Sequence, residues 1–186
     1  MPSEIFLKLT NRLIDSDEKA FDQLFRHLYA PLVKFSHKYT KDRSAASDIV
    51  QQAFINVWQI REELSPNQSI KTYMFRTVRN LSLNYIRDRS RITTGLETEN
   101  LESDEIPFYG ESSSLHENKQ LHLVKKWISK LPDRQRETLK MSRFEGLSHE
   151  EIAEVLDISK RTVNNHIVHA MKKLKQYHDE YTQMNM

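Results

Sequence analysis

Residues 145–169 read EGLSHEEIAEVLDISKRTVNNHIVH. Gly146 stands where a preceding helix would close, because glycine turns left-handed freely. Ser148 and Glu151 have the spacing at which a hydroxyl and a carboxylate satisfy each other's orphan amides at a helix start. Ile152, Ala153 and Leu156 then make the apolar face of a short helix. Asp157, Ile158 and Ser159 interrupt it, and a second helix follows with Val163, Ile167, Met171 and Leu174 directed inward. Two short helices joined by a tight turn, the second basic and polar outside, form a helix-turn-helix pattern.

The outer face of the second helix carries Lys160, Arg161, Asn164, Asn165, Val168, His169 and Lys172. Asparagine can pair with adenine at two points, an apolar tip can meet a thymine methyl, and Lys or Arg reach phosphates or guanine. A merely solvated face is the plainer explanation of a polar run. It leaves unexplained why no acid occurs from Ile158 to Gln176, when five occur from Glu145 to Asp157. Contact with DNA is the expectation for this face.

Upstream, one helix ends before Pro132 and another runs from about Asp133 to Phe144. Residues 92–114 then mark a boundary. They contain six acids, no Lys or Arg, two glycines, Pro107 and three consecutive serines, with little apolar periodicity, and read as a flexible acidic linker. A structureless loop of this length inside one domain would be unusual. The expected organisation is an N-terminal helical domain (1–91), the linker (92–114) and a C-terminal helix-turn-helix domain (115–186).

Four helices are expected in the N-terminal domain. Ile5, Leu9 and Leu13 mark the first, and Asp15 with Glu18 has capping-box spacing for the second. The second carries an apolar stripe of Phe21, Leu24, Phe25, Leu28, Leu32 and Phe35. The third starts near Ser44 and gathers Ile49, Val50, Ala53, Phe54, Val57 and Trp58 on one face, with Asp48, Gln51, Gln52 and Asn56 opposite. After a loop from Arg61 to Ser69, the fourth turns Ile70, Met74, Val78, Leu81 and Tyr85 inward. Its other side shows a mostly basic stripe of Arg76, Arg79, Asn80, Leu83 and Arg87, which can track a phosphate backbone. Tyr73, Phe75, Tyr85 and Trp58 are candidates for stacking on unpaired bases, although aromatics at helical spacing are usually core, Trp58 and Tyr85 included.

The composition agrees with an all-helical chain. Of 186 residues only 3 are Gly and 5 are Pro, too few for the turns of a many-stranded fold. No cysteine is present, which excludes disulfides and thiolate metal sites and suits a reducing cytoplasm. No apolar run approaches the ~18 residues of a membrane helix, and the N-terminus does not read as a signal peptide, so a cytoplasmic protein with no membrane insertion is expected. The net charge of +2 conceals basic modules on both sides of the acidic linker.

Nothing in the chain reads as a catalyst. His166 and His169 stand three apart, but zinc needs three or four converging ligands, so neither a metal nor a cofactor is expected. Glu102, Asp104 and Glu105 fall in sequence too pliant to preorganise a magnesium site.

With both modules read, the residues resemble a known family. Leu131-Pro132 through Ser148, and on through Glu154, is similar to the fourth conserved region of bacterial sigma factors of the sigma-70 family, as is Ser159 to Ile167. Residues Ala20 to Phe25 resemble the opening of the second conserved region, Asp48 to Trp58 its polymerase-docking helix, and Thr77 to Asn80 with Asn84-Tyr85 its promoter-reading helix. The lack of other conserved regions points to the small extracytoplasmic-function class. The resemblance implies that Asp48, Gln51, Gln52 and Asn56 dock on the clamp helices of the largest subunit of core RNA polymerase. It further implies that the polymerase flap is contacted as well as the clamp helices, and that an anti-sigma factor is a possible partner. Promoter DNA would be held by Arg76, Arg79, Asn80, Asn84 and Arg87, with the Arg61–Ser69 loop taking a base flipped from the −10 element, while the last helix reads the −35 element. The acidic linker would enter the polymerase's RNA path. Asn164, Asn165, His166 and His169 stand where many relatives carry Arg or Ser, so the preferred sequence does not carry over. The competing reading is a helix-turn-helix regulator that binds DNA alone, usually as a dimer on a palindrome.

Overall fold

The computed structural model describes residues 2–66, 68–92 and 115–184, and every regular element among them is helical. They divide into two compact units, one from α1 to α4 and one from α5 to α8. The acidic stretch expected to be a linker, with Glu102, Asp104 and Glu105, lies outside the described residues.

The N-terminal unit comprises α1 (Pro2–Ile14), α2 (Glu18–Thr40), α3 (Arg43–Gln59), a 3-10 turn (Arg61–Glu63) and α4 (Ile70–Ile92). α2, α3 and α4 pack on one another, and α1 lies against α2, α4 and the 3-10 turn. The core is Leu24, Leu28, Leu32 and Phe35 from α2, Val50, Ala53, Phe54 and Val57 from α3, and Ile70, Met74, Phe75 and Val78 from α4. Burying one such side chain is worth about 1.5–3 kcal/mol. Pro31 sits inside α2 and withdraws one amide from its ladder. The helix runs on because Leu28, Leu32 and Phe35, on both sides of the proline, are buried in this core.

One helix cap and one buried face are corrected. α2 is capped by Asp17, not Asp15: its carboxylate accepts from the amides of Lys19 and Ala20 at 2.9 and 3.2 Å. Asp15 cannot cap because α1 is still ending there. Ser16 takes φ +58°, its N–H bonds the Leu13 carbonyl at 2.9 Å, and the Asp17 N–H reaches the Arg12 carbonyl at 3.0 Å. That pair of bonds is the Schellman closure, with serine at the position glycine normally fills, at a cost of about 1 kcal/mol. In α1 the buried face is Phe6, Leu9, Thr10 and Leu13, while Ile5 is 54% exposed.

The C-terminal unit comprises α5 (Leu115–Ser129), α6 (Asp133–Arg143), α7 (His149–Leu156) and α8 (Lys160–Met184). α8 is its spine, packed by α5, α6 and α7. Gly146 turns left-handed at φ +62°, as expected, and the Leu147 N–H reaches back to the Met141 carbonyl. The Ser148–Glu151 capping box is formed in both directions, at 3.1 and 2.8 Å. Asp157 makes the turn at φ +55°, and the Ser159 hydroxyl accepts from the Thr162 amide at 3.1 Å to open α8.

Here too the stripe is shifted at its edges. Val155, not Ala153, is buried in α7 beside Ile152 and Leu156. Ala170, not Met171, continues Val163 and Ile167 inward in α8, and Met171 is 45% exposed. At 100° per residue Ala170 lies within about 20° of Val163, whereas Met171 is about 80° away.

Candidate nucleic-acid interface

The α8 face is formed as expected. Val163, Ile167 and Ala170 are buried against α6 and α7, and this rotation leaves Lys160, Arg161, Asn164, Asn165, Val168, His169 and Lys172 all exposed. His166 is half-buried, one step round from them. A ridge of two asparagines, an imidazole and an apolar tip between terminal cations has the chemistry to read base edges while holding phosphates. One residue of this site was not foreseen. Glu150, in the first turn of α7, forms an ion pair with Lys160, and that hydrogen bond holds its carboxyl below the usual carboxylate range. A phosphate contacted by Lys160 would share its ammonium with Glu150 or compete for it.

On α4 the stripe is narrower than its sequence suggests. Arg76, Asn80, Leu83, Asn84 and Arg87 are exposed. Arg79 is half-buried, with its Nε fully enclosed and lacking a hydrogen-bond partner. Phe75, a stacking candidate, is instead 0% exposed and meets the Phe35 ring edge-on at 5.1 Å, because it falls where α2 crosses α4. Tyr73 and Tyr85 are half-buried. Trp58 packs against Phe21 at 5.1 Å and carries the Arg61 guanidinium 4.6 Å above its ring, which accords with a core role.

The face of α3 opposite the core shows Asp48, Gln51 and Gln52 exposed and Asn56 half-buried, with Gln52 donating to Asn56 at 2.8 Å. Ile55 lies among them at 49% exposure, a large apolar residue that the sequence reading did not place there.

The segment between α3 and α4 is tied at one end to the turn that closes α1 and at the other to α1 itself. Arg61 Nε donates to the Ser16 hydroxyl at 2.8 Å, and its Nη1 donates to the Trp58 carbonyl at 2.8 Å. At the other end, the Thr10 hydroxyl accepts from the Ile70 amide at 3.2 Å. It directs its own hydrogen between the carbonyls of Phe6 and Gln68, at 2.8 and 3.1 Å. Leu64 is tucked under, Ser65 and Pro66 are exposed, and the Ser69 hydroxyl is buried without a partner. Among the described residues no three His, Asp or Glu side chains converge on a metal-sized site, and no helix is long and apolar enough to cross a membrane.

Two family models match the chain: sigma-70 region 2 over residues 24–92 and sigma-70 region 4 over residues 121–174. Together they take in about two thirds of the sequence. The ECF RNA polymerase sigma-E factor of Escherichia coli (strain K12) is 28% identical over 176 residues, covering 89% of this chain and 90% of the relative. The RNA polymerase sigma factor SigZ of Bacillus subtilis (strain 168) is 24% identical over 156 residues, covering 83% and 85%. The fold is shared with the sigma factor RpoE of Bartonella quintana, solved in complex with the anti-sigma factor NepR. That match has a TM-score of 0.64 and 22% identity, over 87% of this chain and 98% of that one.

Proposed function

The chain belongs to the sigma-70 family of RNA polymerase sigma factors, in its extracytoplasmic-function class, and from that premise we propose how its surfaces divide the work. As a sigma factor it is a non-catalytic subunit that directs RNA polymerase to promoters for transcription initiation. The α8 face reads the −35 element, with Asn164, Asn165, Val168 and His169 on bases and Lys160, Arg161 and Lys172 on phosphates. The α4 face, through Arg76, Arg79, Asn80, Asn84 and Arg87, follows the −10 strand, and the loop between α3 and α4 holds its flipped base. Asp48, Gln51, Gln52 and Asn56 dock on the clamp helices of core polymerase, and the C-terminal unit meets the flap. The Bartonella factor is held by an anti-sigma factor; a partner of that kind is proposed for this chain too, acting in the cytoplasm.

The observation that carries this reading is the pairing of an exposed seven-residue α8 face with an α3 face on a separate unit where Asp48, Gln51 and Gln52 are exposed. A regulator acting alone needs the first and not the second. The test is reconstitution with core polymerase on a promoter library. Transcription should require both proteins, and the isolated chain should bind duplex weakly. The double variant Gln51→Lys/Gln52→Lys should fold as the parent does, since such surface changes stay within about 0.5 kcal/mol. It should nonetheless lose affinity for core, measured by titration of labelled protein. Unchanged affinity would remove the docking assignment.

A further inference from the structure

The hydroxyls of Thr10 in α1 and of Ser16 in the turn that closes it have no role yet in a reading built on α3, α4 and α8. We infer that α1 and the turn that closes it form a positioning clamp for the loop between α3 and α4, with Ser16 in the turn holding its entry and Thr10 in the helix its exit. This rests on the proposal that the loop receives the flipped −10 base.

Three observations carry it. The contacts bracket the loop: Ser16 takes the first loop residue, Arg61, and Thr10 takes Gln68 and Ile70 at its end. Each is long-range in sequence, 45 residues apart for Ser16 and 58 and 60 for Thr10, so neither is a by-product of helix geometry. Ser16 also sits at φ +58°, closing α1 where glycine would be unstrained. A side chain kept in a disfavoured backbone region is accounted for when the side chain has a task. Here the hydroxyl accepts from Arg61 Nε, while the same guanidinium lies over Trp58 and binds its carbonyl. Arg61 is thus fixed from three sides, and the 3-10 turn it begins leads directly to the exposed Ser65 and Pro66. A site that must accept one base in one orientation needs its supporting backbone held by groups that do not touch the ligand.

The experiment uses reconstituted holoenzyme and a promoter library varied at each −10 position, scored by open-complex formation and permanganate reactivity. Ser16→Gly removes the hydroxyl at a position where glycine fits, so its melting temperature should not fall below that of the parent. It should still reduce discrimination at the captured base by about tenfold, within the range of couplings carried by residues that do not touch a ligand. Thr10→Val should do the same, and Thr10→Ser, which keeps the hydroxyl, should restore the parent preference. Affinity for core polymerase and choice at the upstream element should stay unchanged in all three. If Thr10→Val does not fold, Ser16→Gly decides alone. A parallel pair of tip variants, Ser65→Ala and Pro66→Gly, separates the two levels. Tip variants that shift base choice, beside Ser16→Gly and Thr10→Val that do not, overturn the clamp and leave the loop reading standing. No shift from tip or anchors overturns both.

Discussion

α4 and α8 are nearly equal in length, at 23 and 25 residues, and both are basic, yet they are embedded very differently. α8 buries Val163, Ile167 and Ala170 along one line, so the whole opposite face of its first half is open. α4 begins deep inside its unit, with Ile70, Lys71, Thr72, Met74 and Phe75 all buried. Only from Arg76 onward does it have a free side, and even there Arg79 is half enclosed. A basic stripe therefore means different things on a helix packed along one edge and on one surrounded by α1, α2 and α3. In the first case the sequence describes the surface; in the second it overstates it.

The largest effect that tests this contrast is on stability. Phe75→Ala empties a site that is 0% exposed where α2 and α4 cross, and should cost about 3–5 kcal/mol. Ile167→Ala, at 7% exposure on the edge-packed helix, should fall near the low end of the ~2–5 kcal/mol range for such truncations. Urea unfolding of each variant measures both. Equal losses would mean that α8 is as deeply embedded as α4, and the contrast would fail.

The next effect is on DNA. Asn165→Ala should cost roughly 1–3 kcal/mol on the preferred upstream element and relax choice at one or two positions, with the salt dependence kept. Lys172→Ala should weaken binding to all sequences alike and lower the salt slope by about one unit. Holoenzyme binding across a varied −35 library at several salt concentrations separates the two. If Asn164, Asn165 and His169 all tolerate alanine with preference unchanged, the open face of α8 does not read bases.

The smallest effect concerns the junction of α1 and α2. Arg12 donates to Asp17 from Nε and Nη2, both at 2.8 Å, and the amides of Ala20 and Lys19 add to this, so the Asp17 carboxyl sits below its ordinary value. A carboxylate lowered in the folded state contributes stability above its unfolded pKa, and this is lost as pH falls through the folded value. Melting curves should therefore show a modest acid-side loss that Asp17→Asn abolishes. The same acid slope in parent and variant would show that the contact contributes nothing, as many exposed pairs do.

Much of this architecture was legible in the residues themselves. The capping box at Ser148, the left-handed Gly146 and the polar run from Lys160 to Lys172 are local signals, and local chemistry formed them as expected. The helical period also assigned each inward face, though only to within a residue or two: Phe6 for Ile5, Val155 for Ala153 and Ala170 for Met171 are all errors at the edge of a stripe. Successive helical side chains point 100° apart, so the sequence supplies a direction, while the neighbouring helices decide how wide a sector they cover. Other features had no signal to read. The enclosure of Phe75 depends on where α2 crosses, and the pairing of Glu150 with Lys160 on how α7 meets α8. Thr10, inside α1, and Ser16, in the turn after it, are ordinary residues until a loop some 45 to 60 residues away folds back upon them. Short-range periodicity and capping fixed the elements and their polar faces, because those depend on neighbours along the chain. Which hydroxyls, cations and rings meet depends on neighbours in space, and only the tertiary structure decided that.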